Sequence, residues 1–214
     1  MLHIKKIKLP ILDAQEIPQV LNNAECAWQN IACCNWLEKF PYQPEVTFRI
    51  AYNEQGLMLH YRVVEDSVMG LAEDNGAIWT DACVECFISP ANDAYYYNIE
   101  ANCTGHILIG CGRERHDRVR ADKEVRDRVL RWSSLGREPL GERPQSDPWE
   151  LALFIPYSCF FKHQIESLEG KLIRANFYKC GDHLSQAHYL SWQAILSEKP
   201  DFHRPEFFGE IMAE

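Results

Sequence analysis

Apolar and polar positions alternate with a period of two along much of the chain, and that pattern predicts strands. Val46–Tyr52 and Leu57–Val64 alternate on either side of Asn53-Glu54-Gln55-Gly56, which reads as a hairpin with a glycine-containing turn. Cys83–Ser89 stops at Pro90, and Tyr95–Ala101 runs through Asn102–Gly105 into His106–Gly110 as a second hairpin. Val125–Trp132, Trp149–Ile155, Lys171–Tyr178 and Leu190–Ala194 bring the total to roughly eight to ten strands. Helical spacing is confined to one turn at Ile17–Asn22 and a short piece, Tyr157–Phe161, after Pro156. Many short strands between Gly, Pro, Asn and Asp turns predict an all-β fold, a sandwich of two sheets. The stretch 133–148, SSLGREPLGERPQSDP, suits a surface loop better than a boundary, so residues 1–214 are expected to form one domain.

Composition narrows the function classes. A net charge of −9 argues against a general nucleic-acid binder, which needs a basic face to displace counterions from phosphates. The longest apolar run, LALFIPYSCFF at 151–161, is too short for a membrane helix of about 20 residues. The start lacks an unbroken apolar segment and a small-residue cleavage site, so a cytoplasmic location is expected. Nine cysteines show no framework spacing, and Cys83-x-x-Cys86 has no second pair with which to make a zinc site. They are expected to be free thiols in a reducing compartment. The segment 113–131 holds seven arginines among five acids and reads as a solvated, charge-guarded edge.

Candidate chemistry concentrates at 176–209. There Asn176, Lys179, Asp182, His183, His188, Asp201, His203 and Arg204 alternate with Phe177, Tyr178, Tyr189, Trp192, Phe202, Phe207 and Phe208. Rings to cover an apolar face and polar groups to take an edge suit a flat, hydroxyl-rich molecule such as a sugar. A second aromatic and acidic cluster, IWTDACVECFISP at 78–90, is its expected counterpart. The rival reading makes Asp182, His183, His188, Asp201 and His203 a metal or acid–base cluster of a hydrolase. No HExxH, GxSxG or phosphate-cradling glycine loop accompanies it.

The run Trp79-Thr80-Asp81-Ala82-Cys83-Val84-Glu85-Cys86-Phe87-Ile88-Ser89-Pro90 resembles the Trp-x-Asp-Asp-x-Val-Glu-x-Phe-Ile segment of family 9 carbohydrate-binding modules and their DOMON-like relatives. Tyr96–Asn102 with Gly105 resembles the next strand and turn of that family. Ala175–Asp182, Ser191-Trp192 and Pro200–Gly209 resemble the C-terminal blocks of its uncharacterised bacterial branch. The likeness spans about residues 25–212.

The resemblance implies an antiparallel β-sandwich, immunoglobulin- or jelly-roll-like, without catalytic activity and serving polysaccharide breakdown. It implies a saccharide partner, a mono- or oligosaccharide or a glycan chain end, held between two tryptophans. Trp79 and Trp192 match those stacking positions and Glu85 the acidic one. Asn102 is the amide match, and Asn98 and Glu100 share its strand face by period two. Stacking on both faces of a sugar requires the two rings about 7–8 Å apart in one cleft. Trp28, Trp36, Trp132 and Trp149 are assigned to core or edge. No cofactor is expected, although some relatives bind structural calcium, for which Asp66, Glu73, Asp74 and Asp81 are the available carboxylates. The DOMON relatives add a haem-binding alternative, with Met58, Met69 and Met212 as the sulfur candidates.

Overall fold

The protein is described here by a computed structural model of residues 1–214. In chain order, the first strands are β1 (Leu2–Ile4), β2 (Gln29–Asn30), β3 (Glu45–Tyr52), β4 (Gly56–Val64) and β5 (Ser67–Gly70). The middle of the chain forms β6 (Cys83–Ser89), β7 (Tyr96–Asn102), β8 (Ile107–Gly112), β9 (Arg118–Arg120) and β10 (Leu130–Ser133). The rest forms β11 (Leu140–Pro144), β12 (Trp149–Pro156), β13 (Leu172–Cys180), β14 (Tyr189–Ser191) and β15 (Gly209–Ala213). Two helices, α1 (Ile17–Asn23) and α2 (Lys123–Asp127), complete the regular structure apart from single 3₁₀ turns.

The strands build a β-sandwich. The larger sheet runs β1-β15-β13-β6-β7-β8-β9, with β14 added to β13, and the smaller runs β10-β12-β4-β3-β2. Neighbours are antiparallel except β1 and β15. β5 and β11 pair separately as a two-stranded ribbon.

Alternation determines what each face does. On the larger sheet Val84, Cys86 and Ile88, then Tyr97, Ile99 and Ala101, point at the smaller sheet and join its Phe48, Leu59, Tyr61 and Leu153 in one core. Phe48 stacks on Phe177 across the interface with ring centroids 3.8 Å apart. Each such large apolar side chain contributes about 1.5–3 kcal/mol by leaving water. The intervening residues of the same strands, among them Glu85, Asn98 and Glu100, must therefore face away from that core.

That outward face is not left to water. Trp36, Phe202 and Phe208 pack over Phe87, Tyr96 and Tyr178 as a second cluster. Phe202 stacks on Tyr178 at 4.2 Å, and the Tyr178 hydroxyl donates to the Phe202 carbonyl at 3.1 Å. On the opposite side of the sandwich, α1 lays Ile17 and Leu21 over Ala51, Met58, Ala152 and Phe154. All nine cysteines are free.

Three local expectations are corrected. Val125–Trp132 is not one strand: residues 123–127 are helical, and β10 begins at Leu130. Asp122 caps the helix by accepting from the Val125 amide at 2.9 Å. Val125 and Val129 are both buried and stand four apart, a spacing that one face of a helix and one face of a strand share. The stretch 133–148 is not all loop, because β11 pairs with β5 across 70 residues of sequence that no local signal connects. Pairing in Leu190–Ala194 stops at Ser191.

Candidate functional site

The outward face of β6, β7, β8 and β13 is the floor of a cavity of about 420 Å³, open on one side, a size typical of small-molecule sites. Glu85, Asn98, Glu100 and Cys180 form its base, Trp79, Tyr189 and Phe202 its aromatic wall, and Arg115, Arg118 and Arg120 the opposite side. Gly110 keeps the base open, because a Cβ there would come within 2.5 Å of Asn98 Oδ1.

Glu85 and Glu100 are directly opposite in the antiparallel register of β6 and β7, which puts their side chains side by side on one face. The Cys180 thiol donates to Glu85 Oε1 at 3.1 Å, and Cys83 approaches the same oxygen at 3.8 Å. Asn98 donates its amide to Glu100 Oε1 at 2.7 Å and accepts from Arg118 Nε at 2.8 Å. Arg118 is itself held over the Tyr96 ring at 4.3 Å. The chain from Arg118 through Asn98 to Glu100 therefore has no freedom to rotate, and it leaves Glu100 Oε2 buried without a partner. A buried acceptor without a donor is costly, and here it lines the cavity.

Burial, reinforced by the neighbouring Glu100, pushes the Glu85 carboxyl well above the usual range. Burial also pushes Glu100 up to about 7 and raises Asp182. Two buried carboxyls side by side each resist ionisation, since both cannot be ionised without strong repulsion. Such a floor both donates and accepts hydrogen bonds, as sugar hydroxyls do. On the wall, burial and then Arg118 push His203 down to about 3. It is therefore neutral, and its Nδ1 lies 2.9 Å from the Tyr96 hydroxyl.

The raised Glu100 value has a consequence for stability with a definite sign. Its folded pKa lies above the unfolded value, so its contribution is full below about 4.5 and is lost as pH rises through about 7. Glu100→Gln, which cannot ionise, is expected to be more stable than the parent at pH 8 by roughly 1–3 kcal/mol. The difference should shrink towards zero below pH 5. Thermal melts of both proteins across that range check it, and an equal difference at pH 5 and pH 8 would refute the buried carboxyl pair.

Of the residues singled out from the sequence, Trp79, Glu85, Asn98 and Glu100 meet in this cavity. Asn102 lies on the same strand face but is spent on structure. It donates to Asp81 Oδ2 at 2.8 Å and to the Ala72 carbonyl at 3.1 Å, and accepts from the His106 amide at 2.9 Å. Trp192 lies apart from these. It packs edge-on to Phe48 and Phe177, with centroids 5.9 and 5.6 Å away, at the margin of the main core, and takes no part in the cavity wall. Trp192 does not line this cavity, and Tyr189 and Phe202 stand in its wall with Trp79.

The Asp/His cluster likewise divides. Asp182, Asp201 and His203 line the cavity, whereas His188 is buried with Lys179 and Glu65 and donates from Nδ1 to the Gln186 carbonyl. The one group whose ligand atoms gather within 4.8 Å is Cys83, Glu85 and Cys180, and burial holds both thiols protonated, Cys83 at about 12. Of the calcium candidates, Asp74 accepts from Arg131 and the Ile107 amide, and Asp81 Oδ2 accepts from the Leu71 and Ala72 amides and from Asn102, while Asp81 Oδ1 is buried without a partner. Met58, Met69 and Met212 lie on three different strands, β4, β5 and β15.

The arginine side of the cavity was read from sequence as solvated surface. Arg115, Arg118 and Arg120 line the cavity all the same, because β9 pairs with β8 and brings the loop 113–117 over its mouth. Arg and Asp in alternation carry no signal of which flank a strand will take.

The sequence profile of carbohydrate-binding family 9 matches residues 15–213. The chain belongs to carbohydrate-binding family 9. A crystal structure from Bacteroides uniformis ATCC 8492, described as that of a candidate carbohydrate-binding protein, is 45% identical and covers 100% of this chain and 98% of its own, with a TM-score of 0.96. Two structures of a family 9 module from Caldicellulosiruptor kristjanssonii share the fold at low identity. The one in complex with cellotriose is 14% identical, covers 99% of this chain and 93% of its own, and has a TM-score of 0.63. The one in complex with glucose is 13% identical, covers 99% and 95%, and has a TM-score of 0.61. No curated protein matches the chain in sequence.

Proposed function

We propose that this family 9 chain binds a mono- or oligosaccharide, or the end of a glycan chain, in the cavity on the outer face of its larger sheet, and releases it unchanged. The observation that carries the reading is the pairing of a hydrogen-bonding floor with an aromatic wall. Glu85, Asn98 and Glu100 offer fixed donors and acceptors, and Trp79, Tyr189 and Phe202 offer rings for the C–H face of a pyranose. The module from C. kristjanssonii in complex with cellotriose and with glucose supports the ligand class. We infer from the family that binding serves the breakdown of carbohydrate, by keeping a saccharide at hand for enzymes that cleave it.

Binding without cleavage is what the carboxyls favour. Glycoside hydrolysis uses one ionised and one protonated carboxyl on either side of the scissile bond. Glu85 and Glu100 instead sit side by side on one surface, and Glu85 is held by two thiols.

A few hydroxyl bonds and stacked rings, less the cost of immobilising the sugar, leave roughly 4–7 kcal/mol, a Kd of about 1 mM to 10 μM. Calorimetry with glucose and cellotriose against the intact protein tests this, with NMR of the recovered sugar to show that it is unaltered. Glu85→Gln is expected to cost only a few-fold in affinity, about 1 kcal/mol or less, but to reorder the preference among sugars, since the amide brings two N–H donors where the neutral carboxyl brings one O–H. No saturable binding across a broad panel, or appearance of cleaved products, would sink the reading.

A further inference from the structure

One flank of the cavity carries more cationic hydrogen-bonding capacity than the protein uses. Arg118 is fully engaged: it donates to Asn98 Oδ1 at 2.8 Å and to the carbonyls of Tyr96 and Gly110 at 3.0 and 3.2 Å. Its neighbours are not. Arg120 gives one donor to the Asn75 carbonyl at 2.7 Å and is otherwise exposed. Arg115 has only a loose ion pair with Asp201 at 3.6 Å, and its side chain is 55% exposed. His116 lies beside them on the rim, exposed.

The acids that could neutralise this flank are weak or placed elsewhere. Glu114 and Asp117, on the same loop, do not line the cavity. Burial keeps Glu85, Glu100 and Asp182 towards their neutral forms. Asp201 faces Arg115 but is too far away for a hydrogen bond. The chain as a whole carries −9, so the cationic flank of this cavity runs against the general charge. Guanidinium groups with unspent donors match the planar oxygens of a carboxylate or the tetrahedral oxygens of a sulfate.

We propose that the saccharide this site selects is an acidic one, bearing a carboxylate or a sulfate ester at the end that lies against Arg115, His116 and Arg120. The proposal rests on the saccharide-binding reading above and narrows it. The sugar ring lies on the aromatic wall with its hydroxyls on Asn98 and Glu100, and the anion displaces the loose contact between Asp201 and Arg115. The charge contact is partly exposed, so salt must weaken it.

Calorimetry with glucose, glucuronic acid and glucose 6-sulfate, at low and high salt, tests the idea on the intact protein and on an Arg115→Ala/Arg120→Ala double variant. At low salt the acidic sugars are expected to bind the parent roughly tenfold more tightly than glucose, an advantage that salt erodes. In the double variant, with its fold checked by circular dichroism, the ratio of acidic to neutral affinity should collapse towards one. Asp201→Asn, which frees Arg115, should widen the ratio in the parent. The relative strength of glucuronic acid and the sulfate ester decides which anion the rim prefers. Glucose binding with no preference for either acidic sugar, or a preference that survives in the double variant, overturns this proposal and leaves saccharide binding standing. Failure of every sugar to bind overturns both.

Discussion

Lys179→Met is expected to lower the free energy of unfolding by about 3–5 kcal/mol. The ammonium of Lys179 is wholly buried, 2.9 Å from Glu65 Oε2, whose side chain is equally inaccessible. Lys179 donates to His188 Nε2 at 2.7 Å and to the Cys180 carbonyl at 2.9 Å, while Glu65 Oε1 accepts from Trp149 Nε1 at 2.7 Å. Burial, then the charge of Lys179, pushes His188 down to about 2. The imidazole is therefore neutral, its Nδ1 hydrogen goes to the Gln186 carbonyl, and its Nε2 lone pair is what Lys179 meets. Methionine fills the space but strands the Glu65 charge in a dry core. At about 2–4 °C per kcal/mol for a domain of this size, the midpoint should fall by roughly 6–20 °C. Replacing both partners, Lys179→Met with Glu65→Leu, should recover much of the loss, because no lone charge remains. Denaturant melts of the two variants decide it; a single variant within 1 kcal/mol of the parent would mean that the pair is solvated.

Trp192→Ala and Trp79→Ala are expected to fail in opposite assays. Trp192 lies against Phe48 and Phe177, and a Cβ at Gly209 would sit 2.7 Å from its ring, so the pocket around it is closely shaped. Truncation there should cost about 2–4 kcal/mol of stability and leave saccharide affinity within about twofold, since the ring is not in the cavity wall. Trp79 is half-buried at the cavity edge, where its ring packs against the rim of the second apolar cluster. Its carbonyl accepts from the Asp182 amide at 3.2 Å, a bond that alanine keeps. Trp79→Ala should therefore stay folded and lose roughly 1–3 kcal/mol of binding, about 5- to 150-fold. Melts and calorimetry on both variants form the test. Loss of binding in the Trp192 variant at an unchanged melting point would restore the two-tryptophan clamp, and unfolding of the Trp79 variant would make its ring structural.

Much of this was legible before any fold was known. Period-two alternation located the strands, and the same alternation placed Glu85, Asn98 and Glu100 on faces opposite to Val84, Tyr97 and Ile99, because a strand has only two sides. It also associated Asn102 with that face, correctly, without being able to say that Asp81 and Ala72 would consume its amide. Alternation could not separate Lys123–Asp127 from a strand, since its Val125 and the following Val129, four apart, satisfy either pattern until the helix cap is formed. The aromatic and polar wealth of 176–209 was equally visible, and its division was not. Tyr189 and Phe202 line the cavity while Trp192, only three residues from Tyr189, packs partly buried at the margin of the core.

The chain by itself determined which residues share a strand face, because that follows from local geometry. The tertiary structure alone decided which face is covered, which covered face is hollow, and which charges come to its mouth. Those outcomes depend on pairings between distant segments: β6 with β13, β8 with β9, and the 200–208 segment laid on Tyr178. The closure of such long loops is set by the balance of the whole core, and no short window of sequence records it.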